Sequence, residues 1–151
     1  MALPDVAYRL IGWFSTTRFD RVLHPLLYRR FGARGVLGSV LGSEMILLTT
    51  SGRRTGQART VALFAFDDGT GWIVVGSRGG SKVLPAWYLN LAAQPAASIR
   101  VGHRDVAVRA RELAGAEYEA AFERAAEAYP GYRVYRRASP IHIPILRLEP
   151  R

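Results

Sequence analysis

The sequence predicts an α+β fold built mainly from antiparallel strands, a small barrel with flanking helices. Three observations carry that expectation. Short strand-like runs separated by turn residues dominate the middle of the chain, no βαβ alternation appears, and no GxGxxG fingerprint is present. A doubly wound nucleotide-binding sheet is therefore disfavoured.

Each element follows from local pattern. Val6, Ala7, Leu10, Ile11 and Phe14 recur at helical spacing behind Asp5, a good N-cap, which predicts a short amphipathic helix. A second apolar stripe runs through Phe19, Val22, Leu23, Leu26, Leu27 and Phe31, either kinked at Pro25 or starting near His24. Gly32, Gly35, Gly38 and Gly42 mark a connection, so the chain divides into an N-terminal helical segment, 1–42, and a main domain, 43–151. In that domain Met45 to Thr50, Arg59 to Phe66 and Trp72 to Ser77 read as a meander, with turns at Ser51 to Gln57 and Asp68-Gly69. Leu84 to Ala93 reads as a helix stopped by Pro95, and Ala97 to Gly102 and Val106 to Leu113 as strands joined at His103-Arg104. Glu117 to Ala128 is rich in alanine and glutamate and strongly helical, Pro130-Gly131 breaks it, and Ile143 to Leu148 closes a sheet of five or six strands.

Composition bounds the function. With 151 residues, 49% apolar and 22% charged, the chain fits one globular domain. Basic residues outnumber acidic ones by 21 to 12, and Lys82 is the one lysine, so the excess charge sits on guanidinium groups suited to phosphate and carboxylate. The acidic partner this implies is nucleic acid, an anionic membrane, or a phosphorylated or polycarboxylate small molecule. The absence of cysteine excludes disulfides, a thiolate nucleophile and cysteine-ligated metal; His24, His103 and His142 are scattered without carboxylates at ligand spacing, so no metal site is expected. No secretory signal pattern and no run of about 18 apolar residues is found, so a cytoplasmic protein that does not cross a bilayer is expected.

Two glycine-flanked segments carry the chemistry. Ser51-Gly52-Arg53-Arg54-Thr55-Gly56-Gln57 sets two arginines and two hydroxyl residues in a hairpin connection, an arrangement suited to an anion, with a solvated turn as the plain alternative. Gly76-Ser77-Arg78-Gly79-Gly80-Ser81-Lys82 follows a strand and precedes a helix, where backbone N–H groups can converge on an anion. The spacing of Lys82, and Val83 where a metal-binding hydroxyl would stand, disfavour a nucleoside triphosphatase loop. Next comes Pro85-Ala86-Trp87-Tyr88-Leu89-Asn90-Leu91, an aromatic pair and an amide beside the second loop.

These three segments, in this order and spacing, closely resemble the deazaflavin-dependent nitroreductase family of split β-barrel proteins, over about residues 43 to 150. Tyr129-Pro130-Gly131-Tyr132-Arg133-Val134-Tyr135 matches that family's tyrosine-bearing helical region as well. The resemblance implies an FMN-binding-like split barrel that binds coenzyme F420, a flat deazaflavin ring with an acidic lactyl-phosphate and polyglutamate tail, and passes hydride to an electrophilic small molecule. Carried over by position, Arg53, Arg54 and Thr55 would hold the tail and phosphate. Arg59, Thr60, Val61, Ala62, Leu63 and Phe64 would wall the cofactor. Val75, Gly76, Ser77, Arg78, Gly79 and Gly80 would wrap the ring, and Ala86, Trp87, Tyr88, Leu89 and Asn90 would complete the pocket. Tyr132 would lie over the ring and donate a proton, Tyr129 and Tyr135 would line the acceptor side, and Ser77 would stand beside the reactive carbon or the acceptor.

Two departures bear on the transfer: Arg78 stands where a lysine is common, and Phe64 where relatives carry a tyrosine near the substrate. Quinones, enones and nitroaromatic compounds are the acceptors the resemblance implies. A membrane quinone is favoured by the amphipathic N-terminus, with Trp13, Phe14, Leu26 and Leu27 near arginines; packing of that stripe on the barrel is the competing account. The remaining alternatives are an FMN-binding split-barrel oxidoreductase and a non-enzymatic basic barrel. Aromatics clustered beside glycine loops, rather than interleaved with arginines, speak against nucleic acid. Either a monomer or a homodimer fits.

Overall fold

The computed structural model describes residues 4–14 and 43–151. Its strands are β1 (Glu44–Ser51), β2 (Ala58–Asp67), β3 (Trp72–Val75), β4 (Ala96–Val101), β5 (Arg104–Glu112) and β6 (Ile145–Pro150). They close a barrel in the order β1-β2-β3-β6-β5-β4, with every pairing antiparallel. The helices are α1 (Asp5–Phe14), α2 (Ala86–Ala93), α3 (Gly115–Ala128) and α4 (Gly131–Ala138), with a 3-10 turn at Arg78–Gly80. The second apolar stripe, Pro25 and the glycine-marked connection lie outside the described residues.

Alternation along each strand builds two cores back to back. Ile46, Leu48, Ala65, Val74, Ile99, Val108, Leu146 and Leu148 point into the barrel, where Trp87 and Leu91 of α2 join them. Phe66, Ile73, Val75 and Ile145 point outward and are covered by Phe122, Ala125, Tyr132 and Tyr135 of α3 and α4, together with Tyr8 of α1. Phe122 is fully buried at the centre of this outer layer. Among the described side chains of α1 the buried one is Tyr8, whereas Val6, expected on the apolar face, is 67% exposed.

Ion pairs lock α3 to the sheet. Arg111 of β5 pairs with Glu117 at 2.8 Å and with Glu149 at 2.9 Å, while Arg147 of β6 joins Glu117 to Asp68, the latter at 2.7 Å. Asp68, whose burial alone would raise its pKa, is held below the usual range by hydrogen bonds from Thr70 and Arg147. Glu117 is lowered to about 2, chiefly by Arg111 and then by Arg147.

Several boundaries differ from expectation, three of them for identifiable local reasons. The third strand stops at Val75, because Ser77 adopts helical backbone and opens the turn that follows. The last strand starts at Ile145, because Ile143 and Pro144 give their carbonyls to the Tyr118 hydroxyl and the Gly76 N–H. Tyr129 does not share a helix with Tyr132 and Tyr135: it ends α3 in extended backbone, and α4 begins after Pro130.

Candidate functional site

The hairpin between β1 and β2 holds the first arginine segment. Gly52 N–H donates to Gln57 O at 2.8 Å and Gly56 N–H to Gly52 O at 2.7 Å, which closes the turn and leaves the side chains of Arg53, Arg54 and Thr55 exposed. Arg53 donates through its backbone N and its Nη1 to Asn90 Oδ1, at 3.2 and 3.3 Å. Arg59 donates to Gln57 Oε1 at 3.1 Å. Both partners are neutral amides, and Arg54 has no partner among the described residues, so the charge of this loop is uncompensated. By contrast Arg100, Arg111, Arg133, Arg136, Arg137 and Arg147 are each paired with a carboxylate. The uncancelled cations at this end of the barrel are what an anionic ligand requires.

The second loop packs against α4. Arg78, Gly79 and Gly80 all have positive φ, 42°, 64° and 79°. A side chain at Gly80 would be strained twice over, by that φ and by the Tyr135 backbone 3.2 Å from its Cβ. Arg78 is the one non-glycine residue with positive φ among those described. The loop precedes α2 as expected, with the helix starting at Ala86 rather than Leu84, and the Gly80 and Ser81 N–H groups already donate to Ser77 O and Arg78 O. Arg78 and Lys82 have no anionic partner among the described residues, so the cationic side chains, with the N–H groups of Arg78 and Gly79, remain for a ligand. Ser77 is buried, at 8% exposure.

Beside this loop stands a cluster of tyrosines. Tyr129, Tyr132 and Tyr135 meet one another edge-on or tilted at 5.2 to 6.3 Å, and Tyr8 meets Tyr129 at 5.4 Å. Gly131 is small because a Cβ there would collide with the Tyr129 ring folded back over it. The Tyr135 hydroxyl donates to Tyr8 O at 2.9 Å, so in its 2.9 Å contact with Tyr129 the Tyr129 hydroxyl is the donor. Those two hydroxyls are therefore committed within the protein. The Tyr132 hydroxyl has no partner among the described residues, and its ring lies edge-on against Phe66 at 6.2 Å. Burial raises the pKa of all three, with Tyr132 and Tyr135 well above the ordinary tyrosine value, so each is a neutral hydroxyl near neutral pH.

Period two divides the β2 segment between two faces. Val61 and Leu63 face the barrel core, opposite Leu48 and Ile46, whereas Thr60, Ala62 and Phe64 share the outer face with Phe66. Similarly, of Ala86 to Asn90, Trp87 is in the barrel core, Asn90 is buried with its amide engaged, Ala86 is exposed, and Tyr88 donates to Glu112 Oε2 at 2.9 Å. Tyr8 and Phe66 complete the aromatic cluster and were not singled out from sequence; Tyr8 sits one position off the stripe chosen there.

The geometry is a strip on the outside of β2. Along that outer face Thr60 to Phe66 is six steps, about 20 Å at roughly 3.3 Å per residue, with Arg59 on the opposite face at the hairpin end. The uncompensated arginines stand at the hairpin end and Tyr132 packs on Phe66 toward the other; β3 runs antiparallel to β2, with Ala65 opposite Val74, so the chain after Val75 heads back toward the hairpin and Ser77 with the second loop lies between the two. The family model of F420H(2)-dependent quinone reductases matches residues 21–150. The chain belongs to this family. An F420H(2)-dependent quinone reductase of Mycobacterium tuberculosis is 37% identical over 93 residues, 60% of this chain and 61% of that protein, so the match spans about three fifths of this relative. A solved F420-H2-dependent reductase superposes with a TM-score of 0.65 at 35% identity, covering 70% of this chain and 93% of that one. A protein solved as a domain-swapped dimer gives the same score and identity, covering 70% of this chain and 79% of its own. In this quinone reductase family member the fold is the split β-barrel that the resemblance implied.

Proposed function

We propose that the protein is an oxidoreductase that binds reduced coenzyme F420 along the outer face of β2 and transfers hydride to a quinone. The observation that carries the reading is the division of the strip: uncancelled guanidinium groups at the β1–β2 hairpin, an apolar and aromatic surface with one uncommitted hydroxyl at the other end. That pattern fits a ligand with an acidic tail and a flat ring. Family membership and the F420-dependent relatives support the same cofactor.

The deazaflavin, when bound, supplies a hydride. Every other task falls to the chain. Arg53, Arg54 and Arg59 attract and align the tail, with Thr55 at the same turn. Thr60, Ala62 and Phe64 offer the surface beneath it, and Arg78 to Gly80 with Lys82 enclose the ring end. Tyr132 keeps its proton because burial raises its pKa, and its free hydroxyl is placed to donate that proton to the reduced quinone oxygen. Ser77 stands on the same side as a second polar group. Tyr129 and Tyr135 hold the acceptor side in shape through their hydroxyl chain to Tyr8.

Quinone is preferred over enones and nitroaromatic compounds on family membership. A homodimer is supported by the relative solved as a domain-swapped dimer. The docking of Tyr8 on the barrel favours packing over a membrane role for α1, and no helix among the described residues is long and apolar enough to cross a membrane. The test is equilibrium titration of the full chain with F420 and, in parallel, with FMN, following each cofactor's own fluorescence. Saturable binding of F420 tighter than that of FMN is expected; preference for FMN would return the barrel to the flavin reading.

A further inference from the structure

Asn90 lies on α2, 4% exposed, and its side chain is engaged at both ends. Its Oδ1 accepts two hydrogen bonds from Arg53, one from the backbone N and one from Nη1, at 3.2 and 3.3 Å. Its Nδ2 donates to Thr50 Oγ1 at 3.0 Å, and Thr50, near the end of β1, is itself 2% exposed. One buried amide thus ties the arginine hairpin to the helix that closes the barrel. A carboxylate would bind the Arg53 fork more strongly, yet the residue present is neutral. Among the described residues no carboxylate is paired with Arg53, Arg54 or Arg59.

From this geometry we infer that Asn90 is a positioning residue: it fixes the hairpin and aims the Arg53 guanidinium while leaving its charge intact for an anion. The anion class is a phosphate or carboxylate group, on the proposed reading the cofactor tail. Asn90 acts through Arg53, to which its side chain is hydrogen-bonded. Its part is to remove the entropy of ordering the loop before binding, which otherwise weakens affinity.

The chemistry of the amide provides a discriminating pair of variants. Asn90→Asp keeps the shape, and the Thr50 hydroxyl can reverse to donate to the new oxygen, so the bonds survive while a negative charge is set beside Arg53. Asn90→Ala removes the brace without adding charge. A residue that merely holds the fold predicts a lower melting temperature for Ala with unchanged anion affinity; the role of a neutral brace predicts that Ala, which frees the loop, weakens binding, and that Asp, which keeps the loop but offsets the Arg53 charge, weakens it more. The measurement is NMR titration of the full-length protein and both variants with inorganic pyrophosphate, following the Arg53 and Arg54 amide and guanidinium signals, with melting temperatures recorded for each. The wild type is expected to show saturable shifts at these two residues. Asn90→Asp should lose about tenfold or more in affinity, with a melting temperature close to wild type, and Asn90→Ala should lose less.

The inference is overturned if pyrophosphate leaves the wild-type hairpin signals unmoved, if Asn90→Asp binds as tightly as wild type, or if Ala is the weaker binder. Because it rests on the anion-binding role of the hairpin, the same three proteins are also titrated with F420. Pyrophosphate binding with the expected order of variants, but no F420 binding, would refute the cofactor reading and leave the role of Asn90 standing.

Discussion

Tyr132 differs from its neighbours in its hydroxyl, the one in the tyrosine cluster of α3 and α4 that donates to nothing within the described protein. Tyr132→Phe should therefore keep the fold and the cofactor affinity while slowing quinone reduction by about a hundredfold, the usual range for loss of a positioned acid. Single-turnover absorbance of the preloaded reduced enzyme checks this, and an unchanged rate would assign the proton to solvent or Ser77. The sequence revealed the residue but not what set it apart. Three tyrosines spaced by three suggested one helix face, whereas Pro130 and Gly131 cut that helix and turned Tyr129 back into a brace. Hydroxyl partners depend on what folds over the residue, and here that is Tyr8, more than a hundred positions away in the chain. The arginines of the hairpin were legible because their chemistry is local to a turn; Asn90 was legible as a residue of interest, but its partners Thr50 and Arg53 come from the closure of the barrel.

At the level of elements, α1 is held by the Tyr135 hydroxyl on Tyr8 O and by the Arg137 to Asp5 pair at 3.1 Å. The ion pair is exposed and contributes little. Tyr135→Phe removes the buried bond, orphans the Tyr129 donor and should cost about 1 kcal/mol. Hydrogen exchange should show α1 amides exchanging faster in this variant with the barrel strands unaffected. Uniform acceleration everywhere would mean that α1 unfolds only with the whole domain. Strands were the most legible elements because alternation and turn residues are local signals, and in β2 the same period of two divides Arg59 to Phe64 between core side and outer face. The glycine loop was legible as the connection before α2, while the helix start was set two residues early because Pro85 rather than Val83 caps it.

For the whole molecule, the network of Asp68, Arg147, Glu117, Arg111 and Glu149 links the β2–β3 turn, β6, α3 and β5. Glu117 has a folded pKa lowered from 4.5 to about 2. The unfolded chain therefore binds a proton at higher pH than the folded one, so the stabilisation is complete above pH 4.5 and disappears as pH falls toward 2. Asp68, also lowered, acts in the same direction. Glu117→Gln should melt at a lower temperature than wild type at pH 7, with the two curves converging near pH 2; a constant gap across that window would show that the effect is packing rather than ionisation. The closed barrel with helices on one side was legible as a class, and the order β1-β2-β3-β6-β5-β4 was not, since β6 returning between β3 and β5 is a long-range pairing without local trace.

The central claim is hydride transfer from reduced F420 to a quinone. Its most direct measurement is anaerobic mixing of the full-length protein with reduced F420 and a soluble naphthoquinone, following the return of oxidised F420 absorbance. The account predicts enzyme-dependent oxidation, with one cofactor oxidised per quinone reduced. No acceleration over the protein-free mixture, together with turnover when reduced FMN replaces F420, would contradict it.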